Sequence, residues 1–490
     1  MSYREILGYL YALRHHGIKL GLENPRRLIS LSGNPQRTYH TVHVAGTNGK
    51  GSTVSMICSM LKAAGIRTGT FTSPHLVSFT ERIQVDGERI SEEDVLRLSV
   101  DIRERVESSG DLKPTFFEFV TAMALIYFRG QGVEWAVVET GMGGRFDATN
   151  VISPDITVIT PVGLDHREFL GETLEEIAYE KAGIIKEGVP LVLAPQAGDA
   201  LNTILKAVKE KNAPVYKYGD DFRAEIQEMT PEGVRFDYMS FGVNSQPATR
   251  NPQPATEIKG LFTPLTGSYQ AINGAVAVRT AEIVLKSYRT PAADVPGVIR
   301  SGLAGTSWPG RCELVDFKGM PVLLDGAHNP EAAHALSETL GNVYLSSCRR
   351  GNYDDLILIF GAMADKDIKE ILSPLLPLAR TVIFTSPSYG RSEKPETLLR
   401  IARGQVSTFN INPDSSPVED KSEQLCQMLR PDPFPQTFYA TPNIKEALEL
   451  AARLYRRGAL VVITGSFYTV GEAREVMGEK AVLAKLREHR

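Results

Sequence analysis

The sequence of 490 residues contains only four cysteines, Cys58, Cys312, Cys348 and Cys426, and none of them belongs to a CxxC pair. This scarcity argues against a disulfide framework and against a structural zinc site. The sequence also lacks an apolar run of the roughly 20 residues that a membrane helix needs, and its start lacks the apolar core of a signal peptide. We therefore expect a cytoplasmic protein that does not bind membranes.

The sequence also has no large excess of positive or negative charge. The 54 Lys and Arg residues nearly balance the 58 Asp and Glu residues, for a net charge of -4, which argues against a general nucleic-acid binder. Short-period repeats and coiled-coil heptads are absent. The apolar fraction of 42% is ordinary for a globular chain, and the length exceeds what one core usually organises, so at least two domains are expected.

The most informative stretch is residues 40–52, with the sequence HTVHVAGTNGKGS. A β-favouring run leads into a turn with three glycines, and a helical pattern follows over residues 53–64. Glycine lets backbone N–H groups approach an anion closely, and Lys50 would add a positive charge for the β- and γ-phosphates. The stretch therefore predicts a phosphate-binding loop.

The spacing of this loop departs from the standard Walker pattern. Val44 stands where the first glycine would be, and Gly51 separates Lys50 from Ser52. A glycine-rich turn with a surface lysine is the alternative interpretation. The coincidence of strand, loop, lysine, hydroxyl and helix favours nucleotide binding.

Potential metal ligands follow three predicted strands, at residues 67–72, 135–138 and 156–160, and these ligands are Ser73, Glu139 and His166. A solitary histidine or glutamate is more often structural. However, the carboxyl ends of parallel strands meet at one edge of a sheet, where such sheets bind their ligands. We therefore expect a magnesium cluster beside the nucleotide.

Two adjacent aromatic residues, Phe116 and Phe117, precede a long apolar helix over residues 119–128. Both rings cannot face the same core, so one of them is a candidate for ligand contact. A helix start with one buried and one half-exposed ring explains the pattern equally well.

The second half of the chain changes character twice. Residues 222–263 alternate between apolar and polar, and they include a stretch rich in Gln, Pro, Ala and Thr at 245–256, which we interpret as a mobile insertion without chemistry. The loop at 290–296 is the predicted boundary between domains 1–290 and 297–490. Beyond it, strands alternate with helices again, which predicts a second doubly wound α/β domain.

Taken together, these features resemble the folylpolyglutamate synthase and dihydrofolate synthase family, the folate branch of the Mur-type ATP-dependent amide ligases. The resemblance runs nearly end to end, and its motifs lie at residues 46–52, 72–75, 139–150, 164–166, 180–183, 309–311 and 325–330. It implies an α/β fold with an N-terminal P-loop ATPase-like domain that contains a parallel sheet. The smaller C-terminal doubly wound α/β domain is then expected to bind glutamate.

The resemblance also implies roles for individual residues. ATP would contact Thr47, Asn48, Gly49, Lys50, Gly51, Ser52, Asn273, Arg311 and Asp325. Magnesium, at two sites, would be bound by Ser73, Glu139 and His166, near a carboxylated Lys181. The pterin substrate would contact Gly21, Leu22, Thr115, Phe116, Phe117, Glu118, Phe146, Asp147 and Ala148. The catalytic candidates are Lys50, Lys181, His166 and His328.

The reaction that this resemblance implies is the ATP-dependent addition of L-glutamate to 7,8-dihydropteroate and to reduced folates. The γ-phosphoryl group would convert a substrate carboxylate into an acyl phosphate, which the glutamate amine attacks. Because nucleotide contacts come from both halves of the chain, the site should assemble by domain closure. We expect a monomer whose partners are small molecules, with no nucleic acid and no membrane.

Three alternatives remain open at this stage. The enzyme could extend reduced folates alone. It could be a Mur-type cell-wall ligase, although only a short stretch precedes the phosphate loop. It could also be a nucleotide-gated switch without ligase chemistry, but a switch would not need a second domain with Arg311 and Asp325. ATP turnover that requires both a carboxylate substrate and an amine would distinguish a ligase from a switch.

Overall fold

The computed structural model describes residues 2–13, 21–241, 255–287, 294–345, 352–409 and 437–478. Most of the predicted insertion at 245–256 and most of the predicted boundary loop lie outside these residues, as do Cys348 and Cys426. Among the described residues, no helix combines the length and the apolar character needed to cross a bilayer.

An eight-stranded sheet forms the centre of the N-terminal half. Its strands are β1 (His40–Ala45), β2 (Thr68–Phe71), β3 (Ile83–Val85), β4 (Glu88–Arg89), β5 (Trp135–Glu139), β6 (Ile156–Ile159), β7 (Leu191–Leu193) and β8 (Val215–Lys217). Their order is β4-β3-β2-β5-β1-β6-β7-β8, and all neighbours are parallel except β2-β3 and β3-β4. The central strands are buried on both faces, as expected of a parallel sheet covered by helices, and one face of β1 carries the buried polar side chains of Thr41 and His43.

Helices cover both faces of this sheet. They are α1 (Tyr3–Ala12), α2 (Glu23–Leu31), α3 (Lys50–Ala63), α4 (Glu92–Ser108), α5 (Phe116–Gly130), α6 (Arg167–Leu170), α7 (Leu174–Ala182), α8 (Gly198–Glu210), α9 (Ser268–Ser287) and α10 (Val295–Ala304). One apolar core joins the sheet to α3, α9 and α10, and another joins it to α1, α2, α4 and α5. Along a strand that both cores share, successive residues are buried alternately in the first core and in the second.

A small antiparallel sheet accounts for the change of character after residue 222. It consists of β9 (Phe222–Thr230), β10 (Gly233–Ser240) and β11 (Thr256–Thr263), in the order β11-β10-β9. Phe236 and Tyr238 are buried, whereas Asp237 between them is partly exposed, which confirms the alternation. The sheet packs on α9 through the first core.

The C-terminal half contains a six-stranded sheet. Its strands are β12 (Glu313–Phe317), β13 (Met320–Leu324), β14 (Asp355–Phe360), β15 (Thr381–Phe384), β16 (Thr437–Ala440) and β17 (Ala459–Thr464). The order is β12-β13-β17-β14-β15-β16, and only β12 is antiparallel to its neighbour. Its helices are α11 (Pro330–Thr339), α12 (Ile368–Leu372), α13 (Pro395–Phe409), α14 (Ile444–Leu454) and α15 (Phe467–Val476). The predicted fold, with two α/β parts of which the first contains a parallel sheet, is confirmed.

The assignment of domains to residues 1–290 and 297–490 stays a prediction. Helix α10 packs on α3, and its Ile299 and Leu303 belong to the first core. The backbone of Gly302 lies so close to Met60 that a Cβ at this position would meet the Met60 Cα at 2.4 Å. This packing favours a boundary after α10.

Several elements were not expected from the sequence. Helix α2 contains Pro25, which its first turn tolerates because the first backbone amides of a helix have no intrahelical acceptor. The turn-rich stretch 76–90 contains the hairpin of β3 and β4, and β12 and β16 were also missed. All four strands are short or lie at a sheet edge, where the apolar pattern is weak.

Candidate active site

The predicted phosphate loop connects β1 to the start of α3. Gly46 has φ 147° and Gly49 has φ 85°, backbone conformations that favour glycine. The amides of Thr47 and Asn48 donate to Pro161 O at 2.9 and 3.2 Å, so they already have acceptors. The amides that remain for an anion are those of the first turn of α3, where the helix dipole also favours negative charge.

Lys50 is the first residue of α3, and its side chain curls over the loop. Its Nζ donates to Gly46 O at 3.1 Å and to Thr47 O at 3.2 Å. The ammonium group is therefore held at the mouth of the loop by backbone carbonyls. It is free of carboxylate partners among the described residues, so its charge is available to an anionic ligand.

A cavity of about 400 Å³ lies between the two α/β parts, and we call it the reaction cavity. Predicted site residues that line it are Thr47, Asn48, Gly49, Lys50, Gly51, Ser73, Glu139, His166, Lys181, Arg311 and His328. The structure thus brings together residues from five strand ends of two sheets. Their individual roles stay predictions.

Three residues predicted to contact ATP lie behind the cavity wall instead. Ser52 is buried and receives a long hydrogen bond from Gln270 Nε2 at 3.4 Å. Asn273 packs against the loop, where a Cβ on Gly49 would meet its Oδ1 at 2.5 Å. Asp325 accepts from the amides of Cys312 and Ala327, both at 2.9 Å. In this conformation these three side chains support the cavity and do not line it.

Glu139 and Ser73 meet at the end of neighbouring strands. The Ser73 amide donates to Glu139 Oε2 at 3.2 Å, and the Glu139 side chain is buried. Burial raises the pKa of Glu139 to about 7, against the opposing charges of Lys50 and Arg311.

A cation would offset this desolvation cost. Carboxylate and hydroxyl oxygens suit magnesium, so Glu139 and Ser73 fit such an ion. Among the described residues, however, no three His, Cys, Asp or Glu side chains cluster closely enough to form a complete metal site by themselves.

Lys181 lies at the end of α7 and is buried beside the phosphate loop. Its Nζ donates to Gly46 O at 2.8 Å. Burial and, to a smaller extent, the nearby charge of Lys50 lower the pKa of Lys181 to about 7. A substantial fraction of this amine is therefore neutral near pH 7, the state in which an amine is nucleophilic.

Asp165 connects the two halves of the chain at the edge of the reaction cavity. Its Oδ1 accepts from Lys366 Nζ at 2.6 Å, and its Oδ2 lies 3.6 Å from His328 Nε2. Burial opposes ionisation of Asp165, but the nearby His328 and the charges of His166 and Lys366 outweigh it and hold the pKa of Asp165 well below the usual range. Neither Asp165 nor Lys366 was predicted to have a role in the site.

Two further contacts extend this junction. Asn329 Nδ2 donates to Asn48 Oδ1 at 3.0 Å, and the Leu164 amide donates to Glu331 Oε1 at 3.3 Å. We call these contacts and the Asp165–Lys366 pair the interdomain seam. The sequence shows that the polar residues of the seam follow strands in both halves of the chain. It does not show which residue of one half contacts which residue of the other.

His166 lies next to this seam and has φ 53°, a left-handed conformation that is uncommon for a residue with a side chain. Desolvation in the cavity lowers the pKa of His166 to about 4, against the charge of Asp165. The imidazole is therefore neutral near pH 7 and can act as a ligand through a nitrogen lone pair.

A second cavity, of about 450 Å³, adjoins the first, and we call it the aromatic cavity. It is lined by the predicted pterin residues Thr115, Phe116, Phe117, Glu118, Phe146, Asp147 and Ala148. Thr115 and Glu118 form a capping box at the start of α5, which fixes the two phenylalanines at the cavity wall. Phe116 is buried, whereas Phe117 is partly exposed, as the sequence pattern required of one ring.

Gly21 and Leu22 line neither cavity. They lie at the start of α2, where Leu22 is the N-cap, and residues 14–20 just before them are outside the described part of the chain. Their predicted contact with the pterin is therefore not part of the described geometry.

The two cavities share a wall, formed by Ser73, Pro74, Gly141, Met142 and His166. The two cavities therefore adjoin at the ends of β2, β5 and β6.

Comparison with known proteins places the chain in a family. Residues 44–281 match the Mur ligase middle domain, and residues 310–467 match the Mur ligase, glutamate ligase domain. The dihydrofolate synthase/folylpolyglutamate synthase of Bacillus subtilis (strain 168) is 36% identical over 417 residues, which cover 84% of this chain and 92% of that protein.

Solved structures agree with this placement. A Mycobacterium tuberculosis folylpolyglutamate synthase complexed with ADP has a TM-score of 0.80 at 29% identity, over 97% of this chain and 99% of that one. Escherichia coli FolC in complex with DHPP and ADP has a TM-score of 0.76 at 26% identity, over 96% and 97%. The chain therefore belongs to the dihydrofolate synthase/folylpolyglutamate synthase family of Mur ligases and is an ATP-dependent amide ligase.

Proposed function

We propose that this ligase adds L-glutamate to 7,8-dihydropteroate, giving dihydrofolate, and to reduced folates, giving folylpolyglutamates. The observation that carries the proposal is the wall shared by the aromatic and reaction cavities. A pterin is flat and aromatic, so Phe116, Phe117 and Phe146 suit its faces while Glu118 and Asp147 can accept from its amino edge. The carboxylate at the far end of the substrate would then reach the phosphates.

The nucleotide phosphates are proposed to lie at the N-terminus of α3. Backbone amides of the first turn and the Lys50 ammonium group would bind them, while Arg311 would reach them from the other side of the cavity. Arg311 stacks on Phe467, with its Cζ 4.6 Å from the ring centroid, and this contact orients the guanidinium group. Related solved structures complexed with ADP support the binding of an adenine nucleotide by this chain.

Magnesium would be held by Ser73, Glu139 and His166, of which the first two offer oxygen ligands and the third a neutral imidazole. When bound, the ion would neutralise charge on the phosphates as one is transferred. A carboxyl group on Lys181 would remove a buried cation and add an acid beside a second magnesium site. The lowered pKa of Lys181 supports this modification, because carbon dioxide adds to a neutral amine.

In the first step, a carboxylate oxygen of the substrate attacks the γ-phosphorus, and the bond to the β-phosphate oxygen breaks, giving an acyl phosphate and ADP. Lys50 and Arg311 would stabilise the charge that develops on the transferred group. In the second step, the glutamate amine attacks the acyl carbon and inorganic phosphate leaves.

His328 is placed to take the proton that this amine loses. Its Nδ1 lies 2.9 Å from Gly326 O, and because a carbonyl only accepts, the neutral ring has its lone pair on Nε2. His328 lines the reaction cavity, and its Nε2 lies 3.6 Å from Asp165 Oδ2, so the carboxylate is close to the atom that would accept the proton.

Closure of the two halves along the interdomain seam would exclude water from the acyl phosphate. We keep a monomer as the proposed active form. We keep the cytoplasm as the proposed location, where ATP and L-glutamate are available.

The proposal is tested by measuring ADP release with ATP, magnesium and L-glutamate, with dihydropteroate or tetrahydrofolate as the second substrate. We expect turnover only when a pterin substrate and glutamate are both present. Turnover with tetrahydrofolate alone would reduce the function to folylpolyglutamate synthesis. Turnover with neither pterin, despite intact folding, would contradict the proposed substrates.

A further inference from the structure

Three buried polar side chains form a line behind the aromatic cavity, and the proposed reaction uses only the last of them. His43 lies on β1 in the centre of the first sheet, and its Nε2 is 2.8 Å from Thr149 Oγ1. The Thr149 hydroxyl donates to Asp147 Oδ1 at 2.5 Å. Asp147 lines the cavity, so the line runs from the middle of the sheet to the cavity wall.

The direction of these hydrogen bonds follows from the atoms. A hydroxyl has one proton, and Thr149 gives it to the carboxylate of Asp147. The remaining contact of Thr149 Oγ1 must then be an acceptance, so His43 donates through Nε2–H. His43 Nδ1 consequently carries no proton. This tautomer suits the site, because Nδ1 has no partner among the described residues and a buried N–H without an acceptor would be costly.

The two carboxylate oxygens of Asp147 accept hydrogen bonds from different donors. Oδ1 accepts from the Thr149 amide at 3.0 Å as well as from the hydroxyl, and these two donors use both of its lone pairs. Oδ2 accepts from the Met142 amide at 2.8 Å, and the Gly141 amide also interacts with the carboxylate, so only backbone amides and no side-chain hydroxyl compete with a ligand for Oδ2. Burial raises the pKa of Asp147, and the hydrogen bonds from Thr149 and Met142 oppose that rise.

We infer that His43 and Thr149 are positioning residues for substrate recognition, which orient the Asp147 carboxylate so that Oδ2 accepts a hydrogen bond from the amino edge of a pterin ring. The inference rests on the proposed function. Neither residue touches the cavity, so both act through Asp147. A carboxylate free to rotate would lose part of its binding energy to ordering, whereas this one is fixed by its hydrogen bonds to Thr149 and Met142.

The competing role is purely structural. Asp147 is also the N-cap of the short helical turn Ala148–Val151, so the same bonds could serve only to fold the loop. A structural role predicts lost stability and a uniform loss of all substrate affinities. A positioning role predicts a selective loss for the pterin substrate.

The test compares Thr149→Val, which removes the hydroxyl at nearly constant shape, with Thr149→Ser, which retains it. His43→Leu removes the donor at the other end of the line. Thr280→Val is the matched control, because Thr280 is buried in α9 and its hydroxyl donates only to Val276 O, at 2.8 Å. Each variant is assayed for thermal unfolding, for KM of all three substrates and for kcat. Isothermal titration calorimetry without ATP gives Kd for dihydropteroate.

We expect Thr149→Val and His43→Leu to raise Kd and KM for dihydropteroate about tenfold or more, the usual effect of losing a hydrogen bond to a charged group. KM for ATP and for L-glutamate should change less than about threefold, and Thr149→Ser should restore dihydropteroate binding to within about threefold. Thr280→Val should lose stability alone.

The inference is overturned if folded Thr149→Val binds dihydropteroate as tightly as the parent enzyme, or if its KM values for all three substrates rise alike. A parent enzyme that uses reduced folates but not dihydropteroate would contradict the proposed dual specificity instead. The same variants would then be scored on Kd for tetrahydrofolate, for which the inference predicts the same selective loss.

Discussion

Lys50 is proposed to bind the phosphates, and its side chain contributes little to the stability of the fold. Its ammonium group contacts only the loop carbonyls of Gly46 and Thr47, so its removal should leave the cores intact. We expect Lys50→Ala to lower kcat by about a thousandfold, the upper range for losing one preorganised charge. Lys62→Ala, at the exposed end of the same helix, should retain activity. Full turnover by Lys50→Ala would contradict the loop assignment.

The proposed metal ligands give a second prediction for single residues. Glu139→Gln replaces a buried carboxylate by a neutral amide, and His166→Ala removes the imidazole. Each should raise the magnesium concentration for half-maximal activity by about 10- to 100-fold. The check is a magnesium titration of initial rates at fixed free ATP. If both variants reproduced the titration curve of the parent enzyme, the proposed magnesium site would be wrong.

Carboxylation of Lys181 can be observed directly. The enzyme incubated with ¹³C-labelled bicarbonate should show a carbamate carbon signal by NMR, because burial leaves the amine partly neutral near pH 7. Lys181→Met should lack the signal and most of the activity. A fully active enzyme without any carbamate signal would exclude the modification.

Which site residues could be predicted from the sequence depends on how local their signal is. The loop from Thr47 to Gly51 was identified because strand, glycines, lysine and helix are contiguous. The Asp165–Lys366 pair was missed because its members are 201 residues apart and each looks like an ordinary polar loop residue. Asp325 was placed in the right region, but its carboxylate holds the turn at Cys312 and does not face the cavity.

At the scale of elements, the aromatic cavity depends on how closely the loop after β5 approaches α5. A Cβ on Gly141 would lie 2.5 Å from Phe117 Cζ, so Gly141→Ala should push the ring into the cavity. We expect KM for dihydropteroate to rise about tenfold, with KM for ATP unchanged. Gly130→Ala is the control, because nothing lies within 4 Å of its Cβ position.

Phe117→Ala provides the complementary change, since it removes a ring face without altering the backbone. It should weaken dihydropteroate binding as well, and so should Asp147→Ala. If Gly141→Ala, Phe117→Ala and Asp147→Ala all left dihydropteroate kinetics unchanged, the aromatic cavity would not be the pterin site.

Elements with a strong burial pattern were the ones that the sequence revealed. Strands β1, β5 and β6 are buried along almost their whole length, and β-favouring residues mark each of them, with an uninterrupted apolar run at residues 135–138 of β5. The β3-β4 hairpin has no such run, because β4 is fully exposed and only two residues long. The start of α5 was placed three residues late, since the capping box at Thr115 was not recognised.

At the scale of the whole molecule, the interdomain seam should couple closure to productive chemistry. Lys366→Met leaves the buried Asp165 carboxylate without its closest cation, so the closed state should be less populated. Water would then reach the acyl phosphate. We expect more ADP to be formed per glutamylated product, about threefold or more, alongside a lower kcat.

Lys369→Met, on the exposed side of α12, is the matched control for charge removal nearby. A ratio of one ADP per product in Lys366→Met, equal to that of the parent enzyme, would show that the seam has no part in protecting the intermediate.

The central claim is that one reaction cavity serves both dihydropteroate and reduced folates. The most direct measurement is mutual competition, with the products of each substrate quantified by mass spectrometry while the other is varied. We expect glutamylated products from both substrates, and an inhibition constant for dihydropteroate against tetrahydrofolate that equals the KM of dihydropteroate. Absence of dihydrofolate formation, or independent turnover of the two substrates without competition, would contradict it.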